Sequence, residues 1–138
     1  MFAIIDFVDD STRFYKEEKM TQPNSKNKKE LSPEELAQGQ LEAYNNHDIE
    51  TFCSFFSKNI QVYDAMTKEI MFSGMEAFRE RYTKRFANPE LHCTLVNRMV
   101  HENIVIDQES VLGLGEEVVL AIAIYHIEDG LIQEVHFY

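Results

Sequence analysis

Residues 60–64 read I-Q-V-Y-D, an alternation that ends on a carboxylate. Residues two apart in a strand share a face, so Asp64 falls in line with Ile60 and Val62, on the apolar side. A carboxylate held against an apolar wall keeps its proton more tightly than in water. Asp64 is therefore a candidate acid or base in a pocket, and a strand-end Asp that opens a turn is the alternative. Asn97 raises a similar question. It alternates with Cys93, Leu95, Met99 and His101 on one strand face. An unpartnered buried amide costs about 1–3 kcal/mol, so Asn97 is expected to line a cavity, or else to stitch a β-bulge.

Other chemistry is not expected from the spacing. The five histidines, His47, His92, His101, His126 and His136, form no i, i+4 pair with an acid and no H-x-H, so no metal site is expected. Cys53 and Cys93 fit no metal spacing and read as small buried hydrophobes. Together they imply no disulfide framework, which suits a reducing cytoplasm. G-L-G at 113–115 runs into two glutamates, which repel phosphate, and so reads as a turn.

The elements that position these residues follow from pattern. The chain has 138 residues, enough for one domain with a sizeable core. Residues 1–30 carry six acids and six bases, so the whole net charge of −11 sits in 31–138. No cationic patch is available there for nucleic acid or anionic membrane. No run approaches the length of a spanning helix, and the acidic N-terminus does not read as a signal peptide. Residues 1–31 are expected to be an apolar arm followed by a polar linker. Residues 1–19 are either that arm or an extension upstream of a natural start at Met20.

The domain is expected over 32–138. S-P-E-E opens it as a capping box, with Ser32 as cap and Glu35 reaching back. Ala37, Leu41 and Tyr44 share one helical face, and Asp48 caps a second, short helix. A strand over 59–64 and a shorter E-I-M-F strand follow. S-G-M-E reads as another capping box, with Ser73 as cap of a helix whose stripe is Met75, Phe78, Tyr82 and Phe86. Four strands complete the chain: 91–101, a short I-V-I piece near 105, a strand apolar on both faces to Ile127, and 131–138. Asp129-Gly130 marks the last hairpin. Helices before an antiparallel run argue α+β, with the helices on one side of a curved sheet.

This order, with the stretches A-Y-N-N-H-D-I-E-T-F, N-I-Q-V-Y-D, F-S-G-M-E-A-F-R-E-R-Y and I-Y-H-I-E-D-G-L-I-Q-E-V, resembles the nuclear transport factor 2-like superfamily. Within it the chain is most similar to the ketosteroid isomerase and SnoaL-like polyketide cyclase branch. The resemblance covers roughly residues 32–138. It implies a cystatin-like cone, in which a strongly bent, mostly antiparallel sheet wraps a cavity and about three helices pack at one side. It also implies a homodimer joined through the outer sheet face, which would cover the strand from Val118 to Ile127 on both sides.

The implied occupant of the cone is a small, largely apolar molecule, with no cofactor. Asp64 falls where the isomerases carry the base that moves a proton beside a carbonyl. Tyr82 matches a family tyrosine near the oxyanion, and Tyr44, Asn97 and Tyr125 are further expected substrate contacts. Two usual donors are not matched, since Gln40 stands for a tyrosine and Ala123 for a protonated aspartate. Gln40 offers only an amide, so a steroid isomerase of the usual kind is not implied. Cofactor-free isomerisation or cyclisation is the function expected. The alternative is a non-catalytic ligand-binding or protein-interaction domain of the same fold.

Overall fold

Ser32 starts the first helix by the reciprocal bonds its neighbours predict. Its hydroxyl accepts from the Glu35 amide at 3.1 Å, and Glu35 Oε1 accepts from the Ser32 amide at 2.9 Å. Such a cap is worth about 1 kcal/mol. The structure, a computed structural model, describes residues 30–138. The arm and linker expected over 1–31 therefore lie outside the described residues, except for Glu30 and Leu31.

Helix α1 spans Pro33–Asn45 and buries Leu36, Ala37, Leu41 and Tyr44, together with one polar residue, Gln40. Asp48 caps α2, Ile49–Ser54, through Oδ1 and the Thr51 amide at 3.2 Å. Strands β1, Phe56–Asp64, and β2, Ile70–Ser73, lead into α3, Met75–Phe86. The start of α3 differs from the expected capping box. Ser73 belongs to β2, paired with Gln61, and Gly74 is the N-cap, with no side-chain cap bond. The chain turns from strand to helix at a φ of 90°, which glycine adopts without a Cβ clash.

The remaining strands are β3, His92–His101; β4, Ile104–Leu112; β5, Val119–Glu128; and β6, Leu131–Phe137. The piece expected as a short I-V-I strand is thus nine residues long. The six strands run β2-β1-β6-β5-β4-β3 in one sheet. Only β1 and β6 are parallel neighbours. The architecture is α+β: three helices against a curved, unclosed, mostly antiparallel sheet. Asp129 and Gly130 both have positive φ, 57° and 75°, as a two-residue Asp-Gly hairpin turn requires.

Aromatic rings fill the space between α2, α3 and β1. Phe52 stacks on Phe78 at 5.6 Å, Phe56 meets Phe78 at 4.6 Å, and Tyr82 lies 4.9 Å from Phe52. This packing fixes α3 on the sheet and seats Tyr82. Among the described residues, no helix is long and apolar enough to cross a membrane.

A bulge in β3 decides which of its residues face inward. Leu95 pairs with Glu109 but Asn97 pairs with Gln108, so Val96 is one residue too many for its partner strand. A bulge of this kind reverses the alternation beyond it. Cys93 and Leu95 stay on the concave side, and Arg98 takes the inward place that simple alternation gives to Asn97.

Candidate functional site

The helices and the concave sheet face enclose a cavity of about 240 Å³. Helix α1 contributes Gln40, Leu41 and Tyr44, while α3 contributes Phe78, Tyr82 and Arg85. Glu109 and Val111 come from β4, Ala121 and Tyr125 from β5, Val135 and Phe137 from β6. The wall is mostly apolar, and the volume lies below the range of roughly 300–1,000 Å³ usual for drug-sized ligands. A small molecule fits it. Glu109 is the one acidic side chain on this wall and Arg85 the one basic side chain, among the described residues.

Glu109 is 6 % exposed. Burial, reinforced by the nearby charge of Asp107, pushes its carboxyl up to about 7, against the hydrogen bonds of Tyr125 and Cys93 and the charge of Arg98. The Tyr125 hydroxyl donates to Glu109 Oε2 at 3.3 Å. Gln40 Nε2 in turn donates to the Tyr125 oxygen at 3.1 Å and to the Ala37 carbonyl at 3.0 Å. The result is a buried chain from Gln40 through Tyr125 to Glu109. Burial also pushes the hydroxyls of Tyr44, Tyr82 and Tyr125 up, so all three stay neutral donors near pH 7. Tyr44 is buried and lines the cavity from α1.

A second carboxylate stands two residues away on the same strand face. Asp107 is fully buried and takes two bonds from Arg98, Nε at 2.7 Å and Nη2 at 2.9 Å. Arg98 Nη1 also donates to Gln38 Oε1 at 3.0 Å, tying β3 to α1. A bidentate pair of this kind fixes both side chains. Asp107 is also the cross-strand partner of Ala123. A buried carboxyl therefore exists beside the position where Ala123 supplies none, one strand over.

The residues singled out in the sequence divide into two groups. Tyr44, Tyr82, Tyr125 and Gln40 all line the cavity. Asp64 and Asn97 do not. Asn97 is exposed, on the outer face with Met99 and His101, because of the bulge at Val96. Asp64 pairs with Phe137 as Val62 does with Val135, so β1 does carry it to the concave side. Its carboxylate nevertheless closes the following turn, with Oδ1 accepting from the Met66 and Thr67 amides at 2.9 and 3.2 Å. Glu109, Asp107 and Arg98 were not singled out. The available signal was V-I-D-Q-E-S-V, in which Asp107 and Glu109 keep step with Val105 and Val111.

Residues 37–135 match the family described as the SnoaL-like domain. None of the curated proteins matches the chain. Among solved structures, an uncharacterized cystatin-fold protein of Novosphingobium aromaticivorans superposes with a TM-score of 0.73 at 22% identity, covering 78% of this chain and 98% of its own. An NTF2-like protein of unknown function from Cytophaga hutchinsonii gives 0.69 at 18%, over 80% and 92% of the two chains. A hypothetical Catenulispora acidiphila protein with a ketosteroid isomerase-like fold, in complex with trimethylamine, gives 0.62 at 14%, over 75% and 84%. At these identities the likeness is one of fold.

Proposed function

The chain belongs to the SnoaL-like family, and on that premise we propose that it binds a small, largely apolar carbonyl compound in the cavity and moves a proton on it through Glu109. The observation that carries this reading is Glu109 itself, a carboxyl on an apolar wall with its proton affinity raised to about 7. A general base or acid works best when its pKa lies near the working pH. Glu109 takes a proton from the carbon beside the carbonyl and returns it to another carbon of the same molecule. The substrate oxygen, negative in between, accepts from the Tyr44 hydroxyl, while Tyr125 steadies the Glu109 carboxylate. Side chains alone supply this acid–base chemistry. Isomerisation is the simplest outcome, and ring closure by the same carbanion is the other reaction the arrangement permits.

Small cyclic β,γ-unsaturated ketones test this reading, with the conjugated product followed by ultraviolet absorbance. Conversion by the wild type and its loss in Glu109→Gln supports proton transfer. Undiminished conversion in the variant overturns it. Binding of the same ketones without conversion makes the chain a ligand-binding member of the fold.

The homodimer also remains a proposal. Met99, Leu120 and Ile122 leave large apolar surfaces on the outer face of β3 and β5, and a second copy would cover them. Light scattering on a sizing column tests this, and a monomer at micromolar concentration would refute it.

A further inference from the structure

We propose that His126, Glu134 and His136 form a binding site for one divalent first-row metal ion on the outer face of the sheet. The site is built by strand register. His126 on β5 is the cross-strand partner of Glu134 on β6, and His136 follows Glu134 by two residues on the same face. One ligand atom from each lies within 4.8 Å of the other two. His136 Nε2 and Glu134 Oε1 are already 3.0 Å apart. The His136 ring is held from a third strand, since Tyr63 of β1 pairs with it and stacks on it at 4.5 Å and 6°.

The donor set selects the ion. Two imidazoles and a carboxylate suit Zn²⁺, Co²⁺, Ni²⁺ or Cu²⁺, whereas Ca²⁺ and Mg²⁺ take all-oxygen sets. Zinc bonds of about 2.0–2.2 Å place tetrahedral ligands about 3.3 Å apart. Closing the present triangle to that size moves its widest edge by roughly 1.5 Å, which side-chain rotation supplies. All three residues are half-buried, so an ion reaches them and is partly shielded once there. A depression of about 160 Å³ adjoins His126 and Glu134, with Asn103 and Glu128 on its wall. It leaves room for a water as fourth ligand, the open position of a three-ligand site. The site lies near the β5–β6 turn, about 14 Å along β5 from Ile122, and it rests on nothing assumed about the cavity. Sequence spacing hides it, because the pattern is H-x7-E-x-H and the first histidine arrives from the neighbouring strand.

The test is a titration of metal-stripped full chain with Zn²⁺ against a chromophoric chelator, repeated with Co²⁺ for its visible absorption. The expected result is one ion per chain and Co²⁺ bands of a low-coordinate site. His126→Ala and His136→Ala should each weaken Zn²⁺ binding by at least the roughly 10- to 100-fold that loss of a mere outer-shell partner costs. Glu134→Gln should weaken it and change the Co²⁺ spectrum. Exposed His92 and His101 serve as controls, and His92→Ala/His101→Ala should bind as wild type does. Circular dichroism checks folding, with His126→Gln/His136→Gln replacing the alanine variants if they fail to fold. No competition with the chelator overturns the site. Binding that survives the loss of both His126 and His136, or that falls equally in the control, also overturns it.

Discussion

Asp64 and Glu109 both stand on the concave side of the sheet, at opposite ends of its span. Asp64 ends β1, where the chain leaves the sheet, and its carboxylate meets the free amides of Met66 and Thr67. Glu109 sits inside β4, flanked by β3 and β5, where the ladder already occupies the backbone amides around it. Its carboxylate has Tyr125, Cys93 and little water for company. Alternation gives the two acids the same face. Distance from the strand end decides which one loses its water, and for Glu109 that loss raises the proton affinity. Comparison of the two by mutation is the sharpest way to test the proposed chemistry.

The largest expected difference is in turnover. A positioned general base contributes about 10²–10⁴-fold, so Glu109→Gln should lower kcat on an accepted ketone by that order. Asp64→Asn should leave it near wild type. Steady-state rates of the two purified variants decide the matter, and the opposite ranking would return the base to β1.

Stability should separate the same two regions. Arg98→Met leaves Asp107 buried without its partner, at a cost of about 3–5 kcal/mol. Asp64→Ala removes turn bonds at a water-reachable strand end, at a cost of about 1 kcal/mol. Urea denaturation reads both. If Arg98→Met costs no more than Asp64→Ala, Asp107 is not held as a buried charge by Arg98. The double variant Arg98→Met/Asp107→Leu should recover most of the loss, because no buried charge then stands alone.

Glu109 also predicts a pH dependence of stability. Its carboxyl is raised from 4.5 to about 7 on folding. Between those values the folded chain holds a proton that the unfolded chain has released, so stability falls as pH rises through this window. The contribution is fully present below pH 4.5, is lost above about 7, and amounts to about 3 kcal/mol. Glu109→Gln has no such step. The stability of wild type minus that of the variant should therefore drop between about pH 4.5 and 7, and a flat difference would show that Glu109 is not desolvated.

Features set by near neighbours were legible in the sequence. Ser32 and Asp48 cap helices through residues three positions away, and Asp129-Gly130 turns through its own φ angles. The tyrosines reach the cavity because helical and strand phases hold over the short runs that carry them. What failed depended on partners far along the chain. One extra residue, Val96, is visible only against β4, and it exchanges Asn97 for Arg98 on the inner face. Asp107 and Glu109 keep the phase of Val105 and Val111, but the partners that bury them, Arg98, Tyr125 and α1, come from other parts of the chain. Ser73 was misread as a cap because its place in the β2 ladder is fixed by Gln61, twelve residues back.

The smallest effect concerns which way one hydrogen points. In the arrangement described, the Tyr125 hydroxyl donates to Glu109 and takes a bond from Gln40. A donor stabilises the carboxylate, so this bond lowers the Glu109 pKa against the larger lift from burial. Tyr125→Phe removes the donor and keeps the ring. The Glu109 pKa should then rise by less than about one unit, given a bond of about 0.5–1.5 kcal/mol. The carbon resonance of the Glu109 carboxyl, followed against pH, measures this directly, and the acid limb of kcat/KM should move with it. Tyr63→Phe, on the Asp64 side, should move neither. A downward shift would carry a distinct meaning: protonated Glu109 then donates to Tyr125, the bond stabilises the neutral acid, and the resting group is an acid rather than a base.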